Sequence, residues 1–176
     1  MNVVIISGSA HRNGTTAALL EEFEKGAKEG GHEIYRFDAA FKNVHPCIGC
    51  DKCRRTGTCA FEADDMKELN PHLLAADVLV FVSPIYYFDL NAQIKTVIDR
   101  FYANDAALHG GKKAVLMTAM ADVEPETAEG ANACFTHTAE YLHWEIAGQL
   151  NIGGCFTAEE LTEDDRRRAY ELGRSL

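Results

Sequence analysis

Residues 3–7, VVIIS, constrain the fold more than any other segment: they form an apolar, mostly β-branched run with no polar alternation. A strand facing water on one side alternates. A strand buried on both faces, as in a parallel sheet covered by helices, does not. Residues 77–83, DVLVFVS, repeat the signal, and EIYRF (33–37) and KAVLM (113–117) read as further strands. Helical periods fall between them. Ala17, Leu20, Phe23 and Ala27 share one face of a helix predicted over 14–28, stopped by Gly30 and Gly31. Met66, Leu69, Leu73 and Leu74 mark a second helix that begins near Asp64 and Asp65 and contains Pro71. Ile94, Val97, Ile98 and Phe101 mark a third. A long helix through Ala128, Ala131, Phe135, Leu142 and Ile146 is expected, with Pro125 in its first turn. A weaker strand over 149–156 and a helix over 162–176 complete the chain. Five β-α units in 176 residues predict an α/β fold, a doubly wound five-stranded parallel sheet with helices on both faces. One domain over 1–176 is expected, with a cysteine-rich loop at 41–61. Sheets of this kind bind ligands beyond the C-terminal strand ends, where the strand order reverses.

Composition removes several function classes. With 17 Lys+Arg against 27 Asp+Glu, the net charge of −10 argues against a nucleic-acid partner, which needs clustered positive charge. No apolar run approaches the ~20 residues that span a bilayer, so no membrane partner is expected. The N-terminus has neither a basic region nor a long apolar stretch, and the expectation is a cytoplasmic protein.

The turn after the first strand, Gly8-Ser9-Ala10-His11-Arg12-Asn13-Gly14-Thr15-Thr16, opens a helix. Free amides and the positive dipole end at a helix N-terminus favour an anion, and Ser9, Thr15, Thr16 and Arg12 add hydroxyls and charge. No Gly-Lys-Ser/Thr closes the turn and no G-x-G-x-x-G lies in it, which disfavours a nucleoside triphosphatase or a dinucleotide fold. The plainer alternative is that Asn13, Thr15 and Thr16 only cap the helix and that His11 is a solvated loop residue.

Cys47, Cys50, Cys53 and Cys59 give C-x2-C-x2-C-x5-C, compact enough to wrap a [4Fe–4S] cube. Zinc sites usually use two knuckles further apart, which makes zinc the lesser alternative. His45 is either a further ligand or a plain loop residue, and Lys52, Arg54 and Arg55 either offset an anionic cluster or form a solvated rim. Cys134 and Cys155 sit in apolar patterns and read as small buried hydrophobes.

The Gly-Ser-x-x-Arg-x-Gly-x-Thr turn resembles the phosphate loop of the flavodoxin-like NAD(P)H-dependent FMN reductases. Ser83-Pro84-Ile85-Tyr86-Tyr87-Phe88, followed by Asn91-Ala92-Gln93-Ile94-Lys95 and Asp99-Arg100, is similar to that family's second motif. Cys47 through Cys59, then Asp64-Asp65-Met66, resembles its iron–sulfur flavoprotein branch. These matches run in order over residues 1 to about 120.

The resemblance implies FMN, with its phosphate at Ser9, His11, Arg12, Asn13, Gly14, Thr15 and Thr16 and its ring against Pro84, Ile85, Tyr86, Tyr87 and Phe88. Thr118, Ala119, Met120 and Ala121 would form the third FMN loop, in a sequence that departs from the family's Gly/Thr-rich form. It also implies a candidate [4Fe–4S] cluster on Cys47, Cys50, Cys53 and Cys59, and a homodimer or tetramer. The implied activity passes hydride from NAD(P)H to FMN, and electrons then reach a quinone, a flavin or a similar small-molecule acceptor. That chemistry needs no catalytic side chain. Lys95, Asp99 and Arg100 read as structural ion pairs, and ordinary core or dimer packing is the lesser alternative for Tyr86, Tyr87 and Phe88. The competing readings are a non-enzymatic FMN/iron–sulfur electron-transfer protein and a metal-binding interaction module.

Overall fold

In the computed structural model, which describes residues 1–176, the strands are β1 (Asn2–Ser7), β2 (Glu33–Asp38), β3 (Val78–Tyr86), β4 (Asp89–Leu90), β5 (Lys113–Ala119) and β6 (Glu145–Ile152). Five of them pair in parallel in the order β2-β1-β3-β5-β6, and β4 folds back antiparallel on the end of β3. This is the flavodoxin-like order, with the reversal between β1 and β3. The sixth strand goes beyond the five expected; at two residues it is too short to leave a periodic signal.

Both faces of the sheet are buried, as the apolar runs require. Val3 and Ile5 point into a 17-residue cluster with Leu19, Leu20 and Phe23 of α1 (Thr15–Glu29) and Ala169 of α7 (Glu163–Arg174). Val4 and Ile6 point into a 22-residue cluster on the other face. That face is covered by α3 (Met66–Ala75), α4 (Ala92–Asp99) and α6 (Glu129–Tyr141). Each fully buried Leu or Phe contributes about 1.5–3 kcal/mol, so these faces outweigh helix propensity. The helix α3 runs through Pro71. Helices α1 and α7 cross closely, because a Cβ at Gly26 or Gly173 would run into the facing backbone, Tyr170 and Phe23 respectively. Two short helices, α2 (Lys52–Thr56) and α5 (Asp105–Leu108), lie in connections, and no helix is long and apolar enough to cross a membrane.

Three expectations are corrected in the last third. The long helix does not reach Ile146, which lies in β6. It ends in a Schellman turn, with His143 in the left-handed region (φ 56°), the Trp144 amide on Ala139 O at 2.8 Å and the His143 amide on Glu140 O at 3.1 Å. Glycine usually marks that position, and here a histidine hides it. The last strand covers Glu145–Ile152 rather than 149–156, because Gly153-Gly154 ends it. Pro125 opens a separate 3₁₀ turn, Pro125–Ala128, that leads into α6.

Candidate functional site

A cleft of about 750 Å³ opens over the C-terminal ends of β1, β3, β5 and β6, at the reversal in strand order. Its size lies in the ~300–1,000 Å³ range of small-molecule sites. One wall is the turn between β1 and α1, and it brings together Ser9, His11, Arg12, Asn13, Gly14, Thr15 and Thr16, all seven residues expected there.

The floor of that wall is the start of α1. Gly14 is its N-cap and offers no side-chain cap, so the amides of Thr15, Thr16 and Ala17 have no partner within the protein. This departs from the capping alternative for Asn13, Thr15 and Thr16, since none of their side chains caps the helix. The turn is pre-shaped: Ser9 Oγ accepts the His11 amide at 3.2 Å, and Gly14 donates to His11 O at 3.2 Å. Ser9, Thr15 and Thr16 are buried at its base, while His11 and Arg12 are exposed at its rim. The Arg12 guanidinium is stacked 3.7 Å from the centroid of Phe41, holding a positive charge at the mouth of the cleft in a strongly acidic protein. Uncapped amides, hydroxyls and a guanidinium at one end of a cleft are the donor groups with which proteins bind anions.

The facing wall is Pro84, Ile85 and Tyr86, where β3 extends past the sheet. Tyr87 and Phe88 do not line the cleft. They form the two-residue turn to β4, both in the left-handed region (φ 49° and 68°), and their side chains are 98% and 61% exposed. Left-handed backbone in two aromatic residues is costly, so the turn holds these rings out into solvent at the expense of strain. Ala119 and Met120 line the cleft from the end of β5. Thr118 does not reach it: the side chain is fully buried and donates to Asn151 Oδ1 at 2.7 Å, tying β5 to β6.

Most of the remaining wall comes from a segment that sequence reasoning misses. Ala121 continues the loop after β5, where the third FMN loop is expected, and the unanticipated part is Cys155, Phe156, Thr157, Ala158 and Glu159, which close the cleft after β6. Backbone bonds join the two loops, from Met120 N to Ile152 O (2.9 Å), Cys155 N to Met120 O (3.0 Å) and Gly154 N to Asp122 O (2.8 Å). The signal in the sequence is the Gly153-Gly154 pair, which marks a turn inside the strand expected over 149–156. Cys155 is buried as expected, and burial pushes its thiol above the ordinary value, whereas Cys134 is only half-buried.

The cysteine loop lies outside the cleft. Cys47 and Cys50 are exposed, Cys53 and Cys59 are half-buried, and no group of three or more His, Cys, Asp or Glu side chains stands where it could hold a metal ion. The cage suggested by the spacing is therefore not formed in this conformation. The base of the loop is nonetheless firmly held. Arg100, 3% exposed, pairs with Asp64, donates from Nη1 to His45 O at 2.7 Å and from Nη2 to Phe61 O at 3.3 Å. Asp64 in turn accepts the amides of His45 (3.0 Å) and Met66 (3.1 Å). Burial pushes the Asp64 carboxyl up, but the Arg100 hydrogen bonds, the two amides and the Arg100 charge outweigh it and hold it below the usual carboxylate value. His45 stacks on Phe61 at 3.6 Å, the place of a loop residue rather than a ligand. Lys95 and Asp99 form a helical ion pair on α4.

Comparison with known proteins fits this geometry. The chain is 30% identical to an iron-sulfur flavoprotein of Archaeoglobus fulgidus over 178 residues, all of this chain and 79% of that protein. It is 36% identical to an iron-sulfur flavoprotein of Methanocaldococcus jannaschii over 100 residues, 57% of this chain and 51% of that one, so the match spans only about half the length of some relatives. Among solved structures, NAD(P)H:quinone oxidoreductase from Methanothermobacter marburgensis superposes with a TM-score of 0.74 at 19% identity, covering 98% of this chain and 94% of that one. At that identity the likeness speaks for the fold alone. Residues 1–153, which carry the turn between β1 and α1, the β3 extension and the end of β5, match the family described as NADPH-dependent FMN reductase, and the chain belongs to that family.

Proposed function

We propose that the cleft binds FMN and that the protein is an oxidoreductase carrying electrons from NAD(P)H to a quinone, a flavin or a similar small acceptor. The observation that carries this reading is the uncapped start of α1 at the bottom of the cleft, with the amides of Thr15, Thr16 and Ala17 unpartnered beside buried Ser9 and Thr16. A phosphate monoester satisfies such a group of donors, and charge-assisted bonds of this kind contribute roughly 1.5–3 kcal/mol each. Pro84, Ile85 and Tyr86 on one side and Ala119, Met120 and Phe156 on the other would flank a planar ring.

FMN, when bound, supplies the hydride-accepting and electron-releasing chemistry. The chain's own residues hold and orient it. Ser9, Thr15 and Thr16 would meet the phosphate at the base of the cleft, and Arg12 balances its charge at the rim. The Cys155 thiol, its pKa raised by burial, stays protonated near neutral pH and adds neither charge nor a nucleophile to the cleft. Tyr86, Tyr87 and Phe88 lie exposed beside the opening, which supports a homodimer or tetramer covering them.

The four cysteines of residues 47–59 are a separate matter. The names of the relatives support iron–sulfur ligation, but the loop as it stands does not gather the thiols, and no step above runs through them. The test of the activity is anaerobic addition of NADPH, and separately NADH, to the FMN-loaded protein. Bleaching of the flavin absorbance is expected with at least one. Bleaching with neither removes the reductase reading and favours an electron carrier reduced by a partner.

A further inference from the structure

The two principal walls of the cleft are joined by one buried side chain that lines neither of them. Asn91, 2% exposed, caps α4, with Oδ1 accepting the Ile94 amide at 3.4 Å. Its amide nitrogen Nδ2 reaches across 83 residues of sequence to donate to Gly8 O at 2.5 Å, at the start of the anion loop. Gly8 is held from its other side by its own amide on Val82 O at 2.9 Å. The Asn91 backbone amide donates to Ser83 Oγ at 3.0 Å, and that hydroxyl, fully buried, lies 2.8 Å from Pro84 O and 3.3 Å from Asn91 Oδ1. Asn91 therefore touches the residue before Ser9 on one side and the residue before Pro84 on the other. The fit leaves no slack: a Cβ on Gly8 would fall well inside contact distance of Asn91 Oδ1.

We propose that Asn91 is a positioning residue for the phosphate end of the cleft. Its Nδ2–H bond to Gly8 O would set the height of the anion loop against the β3 wall, so that Ser9 and the first amides of α1 meet the phosphate while the ring lies against Pro84. Helix capping uses the acceptor oxygen, whereas the link to Gly8 uses the donor nitrogen, so the two roles separate chemically. This inference rests on the FMN reading above.

Asn91→Ser and Asn91→Asp both keep an oxygen for the α4 cap and both lose the donor to Gly8; the aspartate also sets a carboxylate against the Gly8 carbonyl. FMN and riboflavin affinities are measured by flavin-fluorescence quenching for the parent and both variants. For each variant that folds, FMN affinity is expected to fall about tenfold, the equivalent of one hydrogen bond, while riboflavin affinity changes less than about twofold. Gly8→Ala, which wedges the same joint from the other side, is expected to show the same loss of phosphate preference. A purely structural Asn91 would lower thermal stability and leave the ratio of FMN to riboflavin affinity at the parent value, and that result overturns the proposal. Absence of any FMN preference in the parent overturns the FMN reading itself and is seen before a substitution is made.

Discussion

Replacing Arg100 with Met removes the guanidinium that closes the base of the cysteine loop. Methionine keeps much of the apolar stem but leaves Asp64, 7% exposed at its side chain, without its counter-charge, and leaves His45 O and Phe61 O without their donor. Breaking a buried pair by removing one partner costs about 3–5 kcal/mol. The parent already carries one cost at this point, since Arg100 Nε is buried with no partner, and the substitution relieves it. The expected loss is therefore at the low end, about 3 kcal/mol, or a fall in Tm of about 6–12 °C for a domain of this size. Urea denaturation and limited proteolysis within residues 46–60 measure the global and the local parts.

The pH dependence follows from the sign of the Asp64 shift. Its folded pKa is depressed by Arg100 and the two amides against burial, so the pair's contribution is fully present above the ordinary aspartate value, about 3.9, and is lost as pH falls through the lower folded value. Removing Arg100 raises the folded pKa, so the gap between parent and variant is expected to narrow as the solution is acidified. Combining Arg100→Met with Asp64→Asn should cost less than the sum of the single changes, because no unpaired charge is left behind. A loss below about 1 kcal/mol with unchanged proteolysis would refute the view that this pair anchors the loop.

Ser9→Ala with Thr16→Ala should weaken FMN more than riboflavin, as read by equilibrium dialysis, since only FMN carries a phosphate for these buried hydroxyls; equal losses would remove the phosphate from this loop. Light scattering at micromolar concentration should report a dimer or tetramer, and replacing Tyr87 and Phe88, 98% and 61% exposed, with Ser should shift it toward monomer; a strictly monomeric parent with FMN bound would contradict this. Cys50→Ser should leave FMN stoichiometry unchanged, because none of the four loop cysteines lines the cleft. If anaerobic preparations of the parent contain iron and acid-labile sulfide, the same substitution should remove them.

The sheet was legible because its strands are buried on both faces: VVIIS and DVLVFVS carry no alternation, and a covered parallel sheet calls for such runs. The turn that lines the cleft between β1 and α1 was legible because its pattern is local, small and hydroxyl-bearing residues entering a helix. What stayed hidden depends on contacts distant in sequence or on unusual residues at special backbone positions. His143 ends α6 where glycine is usual, and the left-handed Tyr87-Phe88 turn creates β4 without an Asn-Gly signature. Thr118 reads as a loop hydroxyl until Asn151, 33 residues away, is seen to accept its hydrogen bond. Asn91 lies in the second family motif, but its bond to Gly8 exists only once β1 and β3 are side by side.

The central claim is that the cleft at the β1/β3 reversal is built for a phosphate-bearing flavin, and titration of the flavin-free protein with FMN and with riboflavin tests it most directly. One FMN per chain is expected, bound at least about tenfold more tightly than riboflavin, since even one charge-assisted bond to the start of α1 is worth about 1.5 kcal/mol. Binding of neither flavin, or equal affinity for both, would contradict it.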